Sequence, residues 1–143
     1  MNRKIMLNKF ALIPTRAHKN DAELDLRTPH DIVIPSGGSA LINTGVHIEI
    51  KENEVGLIKS KSGLNTRFGI ITEGVIDTGY TGSIFVKLYN LGNETAQFKT
   101  GDKIAQLLIM PVIIPQELEV VNSLPKSERG NNGFGSSGRW KIY

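Results

Sequence analysis

One carboxylate and one aromatic residue stand close together in a glycine-rich stretch, Gly74-Val-Ile-Asp-Thr-Gly-Tyr-Thr-Gly82. A strand end that runs into turn residues predicts a β-hairpin here. Asp77 at the tip could then act as a general base, and Tyr80 could offer a stacking surface to a ligand. The alternative is purely local, because turns favour aspartate for capping and Tyr80 would then only cover the hairpin edge.

A second stretch, Lys59-Ser-Lys-Ser-Gly-Leu64, combines hydroxyl and ammonium groups. It follows a predicted strand and opens a predicted helix of one or two turns, in which Ser62-Gly63 would cap residues 64–68. Unpaired backbone N–H groups and the helix dipole favour anions at such a start, so phosphate binding is one interpretation. A basic, solvated turn is the other, and the stretch alone leaves both open.

A third stretch, Arg129-Gly-Asn-Asn-Gly-Phe-Gly-Ser-Ser-Gly138, contains a formal G-x-G-x-x-G pattern. It lacks the preceding strand and the following helix of a βαβ unit, so it does not predict a dinucleotide-binding fold. Its glycines, hydroxyls and arginine could still wrap a phosphate chain through backbone N–H groups. A disordered linker or tail is the alternative.

The chain has no cysteine, which excludes disulfides, thiolate metal sites and a cysteine nucleophile. His47-Ile-Glu49 matches the first half of a zinc deaminase signature, but the second half needs cysteines. The histidines His18, His30 and His47 show no metal-ligand spacing. We expect all three to be solvated rather than ligating.

Apolar and polar residues alternate with the period of half-buried strands in several short segments. Strands are predicted at residues 4–13, 46–51, 55–58, 84–89, 103–110 and 118–121. Turn clusters separate them at intervals of about ten residues, a pattern typical of an all-β barrel or sandwich.

A length of 143 residues accommodates one domain, predicted at residues 1–122. Residues 123–143 are rich in Ser, Gly, Asn and charged side chains, and predict a flexible C-terminal tail. No apolar run approaches the length of a membrane span, and the N-terminus does not lead into a signal-peptide core, so we expect a cytoplasmic protein without a membrane partner. A net charge of +3 suits a polyanionic ligand but equally a solvated surface.

Taken together, the order of these stretches resembles the five motifs of the trimeric dUTPase (dUTP diphosphatase) family, over nearly the whole chain. Ala22-Glu-Leu-Asp-Leu26 resembles the first motif, Ser60–Leu64 the second and Gly74–Gly82 the third. Gly101-Asp-Lys-Ile-Ala-Gln-Leu107 resembles the fourth, and Arg129-Gly with Gly133-Phe-Gly-Ser-Ser-Gly138 the fifth. Five motifs in the family's order are far more specific than any one of them.

The resemblance implies an all-β, jelly-roll-like distorted β-barrel with one short helix, assembled as a homotrimer. Each active site would draw on three chains. One chain would supply Asp25, Lys61, Ser62, Gly63 and Gln106, a second Asp77 and Tyr80, and a third the tail with Phe134.

The implied reaction is hydrolysis of dUTP to dUMP and pyrophosphate. Asp77 would hold the water that attacks the α-phosphorus in line and would also accept from the sugar 3′-hydroxyl. Mg²⁺ would bridge the triphosphate oxygens, and Asp25 would hold a metal-bound water. The groups expected at the phosphates are Lys61, Ser62, Gly63, Gln106, Arg129, Ser136 and Ser137.

Base and sugar selectivity is expected in the hairpin. Backbone groups of Gly74, Val75 and Ile76 would imitate the pairing edge of adenine, accepting uracil and rejecting cytosine. Tyr80 would leave no room for a 2′-hydroxyl, and Phe134 with Gly135 would close over the uracil.

Lys61 and Lys103 stand where the family usually has arginine, and Glu23-Leu24 replaces the usual Gly-Tyr. These departures point to a divergent member, from a phage or a low-GC bacterium.

One alternative function is that of a dCTP deaminase of the same fold. Another is a basic β-barrel that binds nucleic acid, which the low aromatic content of 6% disfavours. Direct nucleic-acid binding is therefore not expected.

Overall fold

A computed structural model of the chain describes residues 2–132 and residue 138. Its elements are β1 (Ile5–Leu7), β2 (Glu23–Arg27), β3 (Ile32–Ile34), β4 (Ser39–Asn43), β5 (Val46–Ile48), β6 (Glu54–Lys59), α1 (Ser62–Phe68), β7 (Ile70–Ile71), β8 (Glu73–Ile76), β9 (Phe85–Asn90), β10 (Ala96–Phe98) and β11 (Lys103–Pro111).

The strands form antiparallel ladders around a single apolar core. The largest sheet has the order β2-β11-β6-β8, and a second has the order β4-β9-β7. Two further pairs are β1 with β5 and β10 with β3. Across the described residues, these ladders do not join into one closed barrel.

Strand β9 shows why the alternating segments fold this way. Val86, Leu88 and Asn90 are buried, whereas Phe85 and Tyr89 face outwards with about half of their surface exposed. Every second residue therefore joins the core, as the period-two pattern predicts. The buried Asn90 is fully paired, since its side-chain amide donates to the carbonyls of Ile34 and Glu94.

The short helix was predicted in the right place. It begins at Ser62, one position after Lys61, which takes the N-cap position without a side-chain capping bond. The predicted capping by Ser62-Gly63 is therefore wrong. The helix ends at Gly69, whose left-handed φ of 66° and close approach to the Gly92 backbone both require glycine.

Some predicted strands are shorter than expected. Residues 4–13 contribute only β1, because the chain turns at residues 9–10, where the Ala11 N–H donates to the Asn8 carbonyl. The strand predicted at residues 118–121 is absent, and Leu118 and Val120 are 87% and 98% exposed. This segment has no partner strand within the described part of the chain, and a strand requires one.

None of the helices in the described segments has the length and apolar character needed to cross a bilayer.

Candidate functional site

Asp25 on β2 forms a buried ionic cluster with two lysines. Its carboxylate is 2.5 Å from Lys61 Nζ and 2.6 Å from Lys103 Nζ, and the residue is only 4% exposed. Lys61 lies between β6 and α1, and Lys103 begins β11. A buried carboxylate with two ammonium partners leaves a net positive charge at the surface of the cluster, which suits an anionic ligand.

Burial acts on Asp25 in the direction that disfavours its charge. The hydrogen bonds from Lys103 and Lys61 and the charges of both lysines outweigh this effect, so the pKa of Asp25 is lowered. The carboxylate is therefore ionised throughout the neutral range.

A bulge in β11 brings Lys103 and Gln106 to the same face of the sheet. Gln106 lies opposite Asp25 and Lys103 opposite Arg27, with the register shifting between Lys103 and Ala105. Three residues apart, the two side chains would point to opposite faces of a regular strand. We call Asp25, Lys61, Lys103, Gln106 and Glu23 the Asp25 centre.

The side chain of Gln106, predicted to bind phosphate, is hydrogen-bonded to Glu23. Gln106 Nε2 donates to Glu23 Oε1 at 2.7 Å, and Glu23 lies two residues before Asp25 on β2. In this structure, the amide is thus committed to a carboxylate that would repel a phosphate placed beside it.

The second motif is held at the end of β6. Ser60 Oγ donates to the Thr72 carbonyl at 3.0 Å and accepts from the Thr72 N–H at 2.8 Å, which ties the start of α1 to the neighbouring chain segment. Ser62 and Gly63 lie beyond this tie and are exposed. A side chain at Gly63 would meet no atom within 4 Å, so the approach to the helix start is open.

Residues 74–82 do not form the predicted β-hairpin, because β8 pairs with β6 whereas the next strand, β9, pairs with β4 and β7. The segment instead leaves β8 in a turn that leads to the second sheet; we keep the name 74–82 hairpin for it, and Asp77 and Tyr80 are both exposed at its tip. Thr78 Oγ1 lies 2.9 Å from the Glu54 carbonyl and 3.1 Å from that of Lys51, so it anchors the first half of the hairpin. Tyr80 folds over Gly82 and donates its hydroxyl to the Ser83 carbonyl at 2.9 Å. An added Cβ at Gly82 would meet the hydroxyl end of Tyr80, so a side chain there would displace the Tyr80 ring.

The three residues predicted to read the base lie on β8. Gly74 packs against Ile58, Ile76 is buried, and Val75 is 64% exposed. As the edge strand of its sheet, β8 pairs with β6 on one side only, so part of its backbone groups points away from the ladder.

The Asp25 centre and Asp77 lie at opposite ends of the β6-β8 ladder. Lys59 pairs with Glu73 at one end, next to Lys61, whereas Gly56 pairs with Ile76 at the other end, next to Asp77. Three residue steps along a strand span about 10 Å. A single chain therefore does not bring Asp77 beside Lys61.

The tail residue Arg129 is exposed and donates from Nε to the Asn132 carbonyl at 3.0 Å. The other predicted tail residues, Phe134, Gly135, Ser136 and Ser137, lie outside the described residues.

Within residues 2–132 and 138, no group of three His, Asp or Glu side chains could hold a metal ion.

The expectation that all three histidines are solvated is wrong for one of them. His18 and His30 are exposed, but His47 is half-buried and hydrogen-bonded through both ring nitrogens.

Sequence reasoning assigned no role to Lys103 or Thr78. The bulge that turns Lys103 towards Asp25 has no sequence signal that we recognise. Thr78 next to Asp77 could have been found, because a hydroxyl beside a turn aspartate commonly bonds to backbone.

Comparisons with known proteins point to one family. The dUTPase family model matches residues 9–138. The chain is 42% identical over 137 residues to the deoxyuridine 5′-triphosphate nucleotidohydrolase of Clostridium tetani, covering 94% of both chains.

Two solved structures are similar to the chain over most of its length. The dUTPase of Staphylococcus bacteriophage 80alpha with dUPNHPP has a TM-score of 0.86 at 32% identity, covering 96% of this chain and 99% of that one. A mutant dUTPase from phage phi11 of S. aureus, whose structure details a structural Mg(II) ion, has a TM-score of 0.80 at 28% identity, covering 88% and 100%. These similarities confirm the predicted all-β, jelly-roll-like fold. The chain belongs to the dUTPase family.

Proposed function

We propose that this protein is a dUTP diphosphatase, which hydrolyses dUTP to dUMP and pyrophosphate. The observation that carries this function is that the family's motif residues form two separate surfaces: a lysine-rich centre at Asp25 and an exposed hairpin that carries the Asp77 carboxylate. The first is suited to a triphosphate, and the second to a nucleoside and a water molecule.

At the Asp25 centre, Lys61 is the proposed phosphate ligand. It is 23% exposed at its side chain, so its ammonium group can turn from Asp25 towards an incoming phosphate. Lys103 would then keep Asp25 paired, which avoids the cost of a buried unpaired charge. The exposed Ser62 hydroxyl and Gly63 N–H are proposed to donate to the same phosphates.

At the hairpin, Asp77 is the proposed general base. Its carboxylate bonds to no donor among the described residues, so it is available to a water molecule and to the sugar 3′-hydroxyl. Tyr80, fixed by its bond to Ser83, would support the deoxyribose. The backbone of residues 74–76 would read uracil, and Phe134 and Gly135 would cover it.

A homotrimer is proposed because one chain separates its two surfaces. The α-phosphorus needs the phosphate ligands and the Asp77 water within a few ångströms of it. Asp77 of one subunit would therefore meet the Asp25 centre of another. The tail of a third would supply Arg129, Ser136 and Ser137 to the γ-phosphate.

The residues present fit Mg²⁺ bound mainly by the substrate. This ion usually keeps several waters and takes one or two carboxylates together with substrate phosphates. Asp25 retains lone pairs beyond those that the lysines occupy, so it could accept from a metal-bound water. When bound, Mg²⁺ would neutralise charge that develops on the phosphates.

The cytoplasm is the proposed location of the protein.

The decisive assay measures pyrophosphate and ammonia release from dUTP, dCTP, dTTP, dATP and dGTP with Mg²⁺. We expect pyrophosphate from dUTP alone. Ammonia from dCTP would instead indicate the deaminase, and absence of any release would contradict the proposed function.

A further inference from the structure

His47 on β5 contacts the tip of the 74–82 hairpin. Its Nδ1 lies 2.8 Å from the Thr81 carbonyl oxygen, one residue after Tyr80. A carbonyl oxygen can only accept, so Nδ1 must carry the hydrogen in this bond. The contact therefore places a hydrogen on Nδ1.

The other side of the His47 ring is also held. Nε2 lies 3.2 Å from the Asn8 side-chain amide, and Asn8 is itself fixed by its backbone bond to Gly45. Because an amide can present either its oxygen or its nitrogen, Asn8 can pair with Nε2 whether or not that nitrogen carries a hydrogen. The ring therefore bridges the β1–β5 pair and the hairpin.

Within the described residues, this is the one hydrogen bond that joins residues 79–82 to a side chain outside the hairpin. Thr78 anchors the first half of the hairpin, and Ser83 bonds to Asn43 where the hairpin ends. Gly79, with a φ of 82° and open space around it, gives the tip freedom to move. Without His47, residues 79–82 would be held only by bonds within the segment itself, from the Tyr80 N–H to the Asp77 carbonyl and from the Tyr80 hydroxyl to the Ser83 carbonyl, among the described residues.

We propose that His47 is a positioning residue, which holds the hairpin tip through Thr81 and thereby sets the place of Tyr80. This role rests on the proposed function of the hairpin, although the anchoring itself does not. His47 touches neither the proposed nucleotide nor the attacking water, so it acts through the hairpin backbone.

The test compares His47→Ala, which removes the donor, with His47→Asn, which keeps a nitrogen donor at the δ position. Amide hydrogen exchange within residues 79–82, above all at Tyr80, whose N–H donates to the Asp77 carbonyl, reports the anchoring and is measured by NMR on the full chain. We expect exchange there to rise about threefold to tenfold in His47→Ala, the effect of losing one hydrogen bond, and to return towards the wild-type value in His47→Asn. His30→Ala, an exposed site, is the matched control.

Kinetics provides the second readout. In His47→Ala, KM for dUTP should rise by a larger factor than kcat falls. The ratio of kcat/KM for dUTP to that for dCTP should fall by about the same factor as KM rises. His47→Asn should restore both KM and this ratio. Unchanged exchange at residues 79–82 in His47→Ala, or equal exchange in the Ala and Asn variants, would overturn the proposal.

Two further measurements keep these outcomes distinct. If His47→Ala fails to fold, the ring ¹⁵N shifts of the unmodified protein decide, because a Nδ1 without hydrogen also overturns the proposal. If the wild-type protein does not hydrolyse dUTP, the proposed function fails, while the exchange data still judge the anchor.

Discussion

The Asp25 centre and the 74–82 hairpin are held in different ways. Asp25 is buried and bonded to lysines from two other parts of the chain, so its side chains support the fold as well as any ligand. Asp77 is exposed and makes no side-chain bond to a described residue, and its position is set through its neighbour Thr78. Substitution of Asp25 should therefore change stability, whereas substitution of Asp77 should change turnover without changing stability.

The largest effect is expected for Asp77→Asn. The substitution removes the proposed base but no contact of the fold, so kcat should fall by roughly 10²–10⁴. The melting temperature should match that of the wild type. Steady-state kinetics and thermal unfolding measure the two quantities, and turnover within a factor of a few of wild type would refute the assignment.

Removal of the chain after Glu128 should be the next largest change. Residues 129–132, the continuous described part of the removed segment, are exposed, so their removal costs the fold little buried surface. Turnover should nevertheless fall by about 10²-fold, because the proposed site would stay open and the γ-phosphate would lose its proposed contact with Arg129. A chain ending at Gly138, which keeps the fifth motif, is the matched control. Full turnover of the shorter chain would make the tail a linker.

Asp25→Ala should lower the free energy of unfolding by about 1–3 kcal/mol, less than for a fully buried pair, since both lysines can reach water.

The lowered pKa of Asp25 also predicts a pH dependence of stability. Because the folded value lies below 3.8, the contribution of Asp25 to stability is complete above about pH 4 and is lost as pH falls through the folded pKa. Denaturant unfolding between pH 2 and 7 should therefore show a shallower acid loss in Asp25→Ala. An unchanged acid profile would contradict the ion-pair account.

The smallest effect concerns Glu23. Glu23→Ala removes a carboxylate beside the proposed phosphate ligands and frees the Gln106 amide. We expect KM for dUTP to fall a fewfold, at the level of about 1 kcal/mol for a partly exposed charge, with little change in kcat. Exposed Glu94 offers a control, as Glu94→Ala should leave KM unchanged. A higher KM in Glu23→Ala would mean that Glu23 orients Gln106 usefully.

The sequence predicted the all-β class and the short helix because both depend on local periodicity and turn residues. It did not predict the pairing of Lys103 with Asp25, since the bulge that rotates the start of β11 depends on how two distant strands meet. The predicted strand at residues 118–121 has the right pattern, but a strand also needs a partner, which one chain does not offer in its described part. His47 was missed for a similar reason, because its partner Thr81 is distant in sequence.

Subunit mixing tests most directly the central claim that the two regions work together only across chains. Asp77→Asn chains and Lys61→Met chains, each defective alone, would be unfolded together in equal amounts and refolded; Lys103 should preserve Asp25 pairing in the second variant. If a site takes Lys61 from one subunit and Asp77 from another, about a quarter of the sites in random trimers regain both groups. The account predicts dUTP hydrolysis near that fraction of wild type. Activity no higher than the mean of the two separate variants would contradict it.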